Sequence, residues 1–268
     1  MRRTRTLARA WMCCARACSR ALPPLPASRF AGAAGSLLTS SLDKTVRLWA
    51  PDASGDGAYR CAATFSEHAA GVAALAVHPS SAFAVSAAQD GSWAFLDIAS
   101  AQCMAHVSDP AVAGAAFACC AFHPDGLILG TGGADACVRI WDVKTASSAA
   151  TFEGHQGRVA ALSFSENGYF LATAAADGVK VWDLRKLKCL HSIPGGPCLS
   201  VEFDHSGQYL AVGGQGASVH ASKADFAVVK AFEALGPKKT IQAVRFGPDA
   251  SFLAVGAAAD HNLRLYAA

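Results

Sequence analysis

An internal repeat constrains the fold of this chain more than any other feature of its 268 residues. Each clear copy reads as a strand of small residues, a turn that bears an aspartate, and an alternating strand that ends in an aromatic residue. The turn aspartates Asp43, Asp90, Asp135 and Asp177 are spaced by 47, 45 and 42 residues. A period of about 40–45 residues is typical of a four-stranded propeller blade. The repeat therefore predicts an all-β chain made of four-stranded sheets.

Six copies of the repeat can be recognised. Four are clear, the second is weaker and the fifth has lost most of the pattern; in chain order they cover residues 37–49, 83–97, 127–142, 170–183, 209–221 and 252–266. Further strands are expected before and between the copies, for example Val72–Val77, ahead of the turn at His78-Pro79, and Ala227–Phe232. The pattern predicts a β-propeller with about five to six blades present.

The composition supports many buried strands. Charged residues make up 16% of the chain, where an ordinary soluble domain has about 25%. The longest uncharged run, residues 68–89, approaches the roughly 20 residues that a membrane span needs. The segment His78-Pro79-Ser80-Ser81 interrupts that run, which favours two strands around a turn. We therefore expect no membrane association.

No motif for catalysis, cofactor binding or metal binding is recognisable. The ten cysteines are scattered and include no CxxC pair, so a structural zinc site has little support. Cysteines in apolar runs, such as Cys119 and Cys120, are expected to be reduced core residues. The chain has no GxSxG elbow and no glycine-rich phosphate loop followed by lysine. We expect a chain that carries no catalytic chemistry and needs no cofactor.

The basic residues are unevenly distributed. Residues 1–42 hold seven arginines and no acid, and the remainder holds 16 basic and 20 acidic residues. A mildly acidic body gives no broad basic face, so direct binding to nucleic acid is not expected. The short run Arg185, Lys186 and Lys188 lacks an aromatic stacking platform and is interpreted as a solvated edge.

The fourth copy carries the full set of residues that mark one known repeat: Gly154-His155, Thr173, Asp177 and Trp182-Asp183. On these residues the chain resembles the WD-repeat family, whose rings have seven blades. The resemblance implies a structural tetrad of His155, Thr173, Asp177 and Trp182, which would fasten an outer loop to the third strand of the blade. A buried carboxylate must be paired, and imidazole, hydroxyl and indole N–H groups supply donors.

The other copies depart from that pattern. The second keeps His68, Ser86 and Asp90 but is interpreted as having Phe95 in place of the tryptophan, and the third has no matching histidine. The first copy ends in Trp49-Ala50 and is expected to lack its innermost strand, because the proline-bearing residues 1–34 offer none. The total is then about 22 strands, which predicts an N-terminally incomplete propeller over residues 35–268.

A closer resemblance rests on four stretches, residues 93–98, 120–132, 164–173 and 181–188. They are similar to the propeller of the pre-mRNA-processing factor 19 family, and the likeness extends over about residues 36–268. It implies a protein-binding scaffold of a spliceosome-associated U-box ubiquitin ligase, with roles in pre-mRNA splicing, protein ubiquitination and DNA repair in the nucleus. No U-box and no heptad run precede Gly35, so ligase activity and oligomerisation are not expected from this chain alone.

Two segments leave alternatives open. Residues 1–34 are interpreted as a disordered Arg-rich tail or a mis-predicted exon, the alternative being an organelle transit peptide. The motif Trp182-Asp183-Leu184-Arg185 makes Arg185 a candidate for docking a partner, as in WD proteins that act as substrate receptors of cullin-type ubiquitin ligases. Arg185 could instead cap a blade edge. The expected partners are splicing-complex proteins or ubiquitination substrates.

Overall fold

The computed structural model describes residues 27–31, 35–52, 58–109, 112, 114–232, 240–247, 250–257 and 263–267. Within these residues the regular secondary structure is almost entirely β-strand, arranged in six antiparallel sheets. We number the sheets as blades one to six in chain order. Two compact units can be distinguished, of which the first ends at Phe117 and the second begins at Ala118.

The first unit contains two four-stranded sheets, each with its strands in chain order. Blade one consists of β1 (Ala27–Ala31), β2 (Ser36–Ser40), β3 (Val46–Pro51) and β4 (Tyr59–Phe65). Blade two consists of β5 (Val72–Val77), β6 (Phe83–Ala88), β7 (Ser92–Asp97) and β8 (Gln102–Ser108).

The second unit contains three sheets of four strands and one of three described strands. Blade three consists of β9 (Phe117–Phe122), β10 (Ile128–Gly133), β11 (Val138–Asp142) and β12 (Ser147–Phe152). Blade four consists of β13 (Ala161–Phe164), β14 (Phe170–Ala175), β15 (Gly178–Asp183) and β16 (Lys188–Pro194). Blade five consists of β17 (Ser200–Phe203), β18 (Tyr209–Gly213), β19 (Ala217–Ala221), a short 3-10 helix (Ser222–Ala224) and β20 (Ala227–Phe232). Blade six consists of β21 (Ile241–Phe246), β22 (Phe252–Ala257) and β23 (Leu263–Ala267).

The position of a strand within its blade determines its composition. The second strands of blades one to five are covered on both faces, so β14 reads Phe-Leu-Ala-Thr-Ala-Ala and only Phe170 is not fully buried. Small residues at these positions let successive sheets pack closely. The fourth strand β16 alternates between exposed and half-buried residues, because one of its faces meets solvent.

Within each unit the hydrophobic cores lie between successive sheets. In the first unit, Leu38 and Leu48 of blade one pack with Leu75 and Leu96 of blade two. In the second unit separate cores join blades three and four, four and five, and five and six. Each sheet thus has an apolar face toward its neighbour, which is why no blade can be stable alone.

The structure confirms the all-β class and the repeated antiparallel sheets, and six blades agree with the expected number. The strands predicted at Val72–Val77 and Ala227–Phe232 are β5 and β20. No helix with the length and hydropathy of a membrane span occurs in the described part of the chain. Of residues 1–34 the structure describes only 27–31, so the interpretation of residues 1–26 and 32–34 lies outside the described part of the chain.

The expectation that the first copy lacks its innermost strand is wrong. Ala27–Ala31 forms β1 and pairs antiparallel with β2, from Ala27 opposite Ser40 to Ala31 opposite Ser36. The described residues therefore contain 23 strands rather than about 22. Sheet pairing stabilises a segment whose own sequence has little strand pattern.

Candidate functional site

The aspartate turn of blade four is held by a chain of side-chain hydrogen bonds. The turn joins β14 to β15, and His155 precedes blade four in sequence. Nδ1 of His155 lies 2.7 Å from Oδ1 of Asp177, and Nε2 of His155 lies 2.7 Å from Oγ1 of Thr173. The indole N–H of Trp182 donates to the same Thr173 oxygen at 2.8 Å. The structure thus brings together all four side chains that the sequence grouped as a tetrad.

The direction of each bond in this chain follows from its two ends. An indole nitrogen can only donate and an ionised carboxylate can only accept. His155 therefore donates from Nδ1 to Asp177 and accepts the Thr173 hydroxyl proton at Nε2, which is the neutral tautomer. Burial lowers the pKa of His155 despite the nearby carboxylate. Burial tends to raise the pKa of Asp177, but its hydrogen bond with His155 and the charge of Lys180 outweigh that and lower the pKa.

Blade two builds a different network around its histidine. His68 contacts the hydroxyl of Ser86 through Nε2 and the hydroxyl of Ser92 through Nδ1, both at 2.7 Å. Ser92 in turn donates to Oδ1 of Asp90 at 2.5 Å, so a serine stands between the histidine and the carboxylate. Burial lowers the pKa of His68 to about 4, so this histidine is also neutral at pH 7.

The assignment of Phe95 to the tryptophan position of blade two is wrong. In blade four Phe170 lies opposite Asp183, and Trp182, the residue before Asp183, lies opposite Leu171. In blade two the same position relative to Phe83 and Asp97 is held by Leu96, opposite Ala84. Tryptophan is therefore replaced in blade two by a buried leucine that cannot donate a hydrogen bond.

Blades one and three replace the histidine by an arginine on the third strand, which the sequence analysis missed. Arg139 donates to Oδ2 of Asp135 at 2.5 Å, and its side chain is nine-tenths buried. Arg47 donates to Oδ2 of Asp43 at 3.2 Å. The signal in the sequence is an arginine four residues after the turn aspartate in these two blades. In blade three Trp141 keeps its bond to the threonine of the second strand, as Trp49 does in blade one.

Blade five keeps the sheet without the tetrad. The tryptophan position, opposite Leu210, is held by His220. This imidazole lies 2.8 Å from the hydroxyl of Ser218 and 2.8 Å from the carbonyl oxygen of Phe226. Packing of Phe226 into the core between blades four and five accompanies this change. The blade therefore relies on packing and on the two polar contacts of His220.

Arg185, the candidate for partner docking, is anchored at the other end of blade four. Its guanidinium meets the buried carboxylate of Asp183 through Nη2 at 3.0 Å and Nε at 3.3 Å. It also lies over the Tyr169 ring, 4.5 Å from the centroid. The hydrogen bonds from Arg185 lower the pKa of Asp183. More than half of the Arg185 side chain remains exposed, so it caps the blade edge and still faces solvent.

No group of three or more histidine, cysteine or acidic side chains suited to a metal ion occurs among the described residues. Cys119 is buried, and burial raises the pKa of its thiol far above the ordinary value. Cys120 next to it is also buried. The candidate sites in the described part of the chain are the exposed turns between strands, such as the turns at Asp177 and Arg185.

Comparison with known proteins supports the reading of these repeats. The family model "WD domain, G-beta repeat" matches residues 59–95, 103–142, 146–183 and 229–267, more than half of the chain. Pre-mRNA-processing factor 19 homolog 2 of Arabidopsis thaliana is 46% identical over 241 residues, which are 89% of this chain and 45% of that protein. Pre-mRNA-processing factor 19 of Oryza sativa subsp. japonica is 47% identical over 236 residues, or 85% of this chain and 44% of that protein.

The similarity extends beyond plants. Pre-mRNA-processing factor 19 of Bos taurus is 37% identical over 235 residues, which are 86% of this chain and 44% of that protein. The chain spans less than half the length of each of these relatives. With the matched repeats, the tetrad geometry of blade four and the six antiparallel sheets, the chain belongs to the WD-repeat family.

Proposed function

We propose that this chain is a protein-binding scaffold for pre-mRNA splicing, the partner-binding WD-repeat part of a spliceosome-associated U-box ubiquitin ligase. The observation that carries the proposal is an identity of 46–47% over most of the chain to proteins named as pre-mRNA-processing factors. The proposal includes a nuclear location and a role in protein ubiquitination and DNA repair for the full-length protein. Its partners are splicing-complex proteins or ubiquitination substrates.

Pre-formed turns give the chain a mechanism for recognition. At the end of the third strand in blades two, three and four, Asp97, Asp142 and Asp183 each accept a bond from the backbone N–H two residues later, at 2.8–2.9 Å. At the opposite end of blade four the tetrad holds the Asp177 turn. A surface that is ordered before binding loses less conformational entropy when a partner docks.

The chain by itself is proposed to be non-catalytic. In the family that it resembles, ubiquitin transfer belongs to the U-box, and the residues that match this family are those of the propeller. We therefore expect no ubiquitin transfer from the purified 268-residue chain in the presence of activating and conjugating enzymes. A ubiquitin ladder that requires the chain would contradict this part of the proposal.

A substrate receptor of a cullin-type ligase is the alternative function. The half-exposed guanidinium of Arg185 supports it, because this group is fixed in place by Asp183 and Tyr169 and presents its outer edge to solvent. The two functions differ in what the chain recruits. The alternative requires a cullin adaptor whose binding is lost when Arg185 is replaced by alanine.

Affinity purification of the tagged chain from nuclear extract tests both functions. We expect splicing proteins to be enriched over a tagged chain that carries no WD repeat. The variant Arg185→Ala should retain them, with Lys188→Ala as a matched control for the loss of one exposed charge. Recovery of a cullin adaptor that disappears only in Arg185→Ala, without splicing proteins, would reject the scaffold function in favour of the alternative.

A further inference from the structure

Blade six presents two large leucines on the face that is turned away from blade five. Alternate residues of β21 and β22 pack into the core between blades five and six, and successive side chains of a strand point to opposite faces. Ala254 and Gly256 of β22 therefore lie on the other face, where Leu265 pairs with Ala254 and Leu263 with Gly256. The exposed fractions of Leu263 and Leu265 are 70% and 64%. We call these four residues the outer face of blade six.

The equivalent faces of blades four and five are covered by a neighbouring sheet. Strand register identifies the equivalent residues in blade four as Ala172, Ala174, Val179 and Val181, and in blade five as Ala211, Gly213, Ala217 and Val219. Those of blade four are at most 1% exposed and belong to the core that joins blades four and five. Those of blade five lie against blade six. The repeat therefore uses this face for packing on another sheet, and blade six exposes the same apolar chemistry to solvent.

A glycine on this face forms an open socket. In blade five a Cβ added at Gly213 would lie 2.9 Å from the side chain of Val244 in blade six, so the missing side chain makes room for that valine. At the equivalent Gly256 the nearest described atoms lie 3.9 Å from such a Cβ and belong to Ala243 of the same sheet. A branched aliphatic side chain from outside the sheet can therefore pack on Gly256 as Val244 packs on Gly213. Contiguous exposed apolar surface is typical of an interaction site.

The charge on this side of blade six is satisfied within the chain. Arg245 lies opposite Ala254 and is the one charged side chain that the described strand pairings place on the same side of the sheet. Its guanidinium donates from Nη1 to Oε1 of Glu202 in blade five at 2.8 Å. A phosphate or an acidic segment would find no unpaired cation among these residues, so the outer face of blade six favours an apolar occupant.

A second copy of the chain carries the side chains that this face can accept. Neighbouring strands lie about 4.8 Å apart, so each exposed leucine stands beside a small residue, Leu263 beside Gly256 and Leu265 beside Ala254. When two copies face each other across a two-fold axis, the leucines of each copy lie over the small residues of the other. Both sets of contacts form together, because the same patch serves on both sides of a two-fold interface. No unpaired charge is buried, since the arginine on this side keeps its partner in blade five.

We propose that the outer faces of blade six in two copies of the chain pack against each other and form a symmetric dimer. Sheets that pack face to face lie about 10 Å apart with interdigitating side chains, an arrangement that suits the leucines and the glycine socket. The inference goes beyond the proposed function, because the partner is the chain itself. The sequence has no heptad run before Gly35 that would predict oligomerisation, but a sheet interface needs no heptads.

Sedimentation equilibrium of the full chain tests the dimer. The mass should rise from 27.5 kDa to twice that value over a concentration range of about 1–100 μM, which suits a small interface. The test variant Leu263→Lys/Leu265→Lys brings like charges together at the interface and should weaken the dimer at least about tenfold. The matched control Val228→Lys/Val229→Lys changes two residues of β20 that are 59% and 58% exposed, and it should dimerise like the unchanged chain. A melting curve of each variant verifies that it is folded.

A charge-swap experiment identifies the second copy as the occupant. The single variants Leu265→Lys and Leu265→Glu should each dimerise at least about tenfold more weakly than the unchanged chain, because a two-fold axis brings their like charges together. An equimolar mixture of the two variants should recover the mass of a dimer, because opposite charges then face each other. An unrelated apolar occupant or non-specific aggregation gives no such recovery.

A mass of 27.5 kDa for the unchanged chain at every concentration would overturn the proposal. So would equal losses of dimer in the test and control variants, a mixture of the charged variants that stays monomeric, or masses that grow beyond the dimer. Each of these measurements uses the purified chain alone, whereas recovery of splicing proteins from nuclear extract decides the scaffold function. Either the dimer or the scaffold function can therefore fail while the other stands.

Discussion

Replacing Asp177 by alanine removes the carboxylate at the end of the hydrogen-bond chain in blade four. His155 then keeps its Nδ1–H without the acceptor now 2.7 Å away, and the histidine side chain is 1% exposed, so water cannot easily substitute. A hydrogen bond to a charged group contributes about 1.5–3 kcal/mol. The weaker ion pair with Lys180, whose Nζ lies 3.7 Å from the carboxylate, adds less than about 1 kcal/mol. We expect a loss of about 2–3 kcal/mol.

Thermal unfolding followed by near-UV circular dichroism measures this loss. In a chain of this size a change of 1 kcal/mol moves Tm by about 2–4 °C, so Asp177→Ala should lower Tm by about 4–12 °C. Asp177→Asn keeps the shape and one neutral acceptor, so its effect should be about half as large. Glu153→Ala is the control, because it removes one exposed negative charge shortly before the same histidine. A Tm of Asp177→Ala within 1 °C of the control would refute the structural role of the tetrad, on the scale of shifts given above.

Three other changes test the local geometry. Gly178→Ala should lower Tm more than Gly207→Ala, because a Cβ at Gly178, where φ is 113°, meets backbone atoms, whereas at Gly207 the space is open; equal shifts would contradict this. Trp141→Phe removes the N–H that bonds to Thr131 and should cost about 1 kcal/mol in urea unfolding, with an unaltered urea midpoint as the contrary result. Burial lowers the pKa of His68 to about 4, so between pH 6.5 and 4 the unfolded chain binds a proton that the folded chain does not. Stability should therefore decrease as the pH is lowered through this window, and less steeply in His68→Gln. Parallel Tm–pH curves for the two proteins would contradict the buried neutral state of His68.

The sequence predicted the repeated sheets because turn chemistry and alternation are local properties. The aspartate turns, the His78-Pro79 turn and the strands around them all depend on neighbours close in sequence. The four tetrad residues of blade four were named through the resemblance to the WD-repeat family, and the structure places them in one chain of hydrogen bonds. The strand β1 was missed because Ala27–Ala31 has little pattern of its own and is stabilised by its pairing with β2.

The error at Phe95 has a physical cause in the length of one turn. From the turn aspartate to the residue at the tryptophan position there are six steps in blade one (Asp43 to Trp49) and in blade three, but five in blade four (Asp177 to Trp182). Counting by the shorter blade leads to Phe95, and the actual turn of blade two leads to Leu96. The residue after the turn aspartate has a positive φ in turns of both lengths, at Lys44, Gly91, Ala136 and Gly178, so a positive φ does not determine the turn length. The residue types alone do not reveal it.

A repeat protein provides its own standard for separating folding from binding. Positions that keep one chemical character from blade to blade, such as the threonine or serine of the second strand at Thr39, Ser86, Thr131 and Thr173, belong to the sheet and its buried bonds. At other positions the residue type changes from blade to blade while the same backbone hydrogen bond is kept. The fold does not require a particular side chain at those positions. Where such a position carries a large apolar side chain and exposes it, as Tyr169 does, burial in the fold cannot explain the residue.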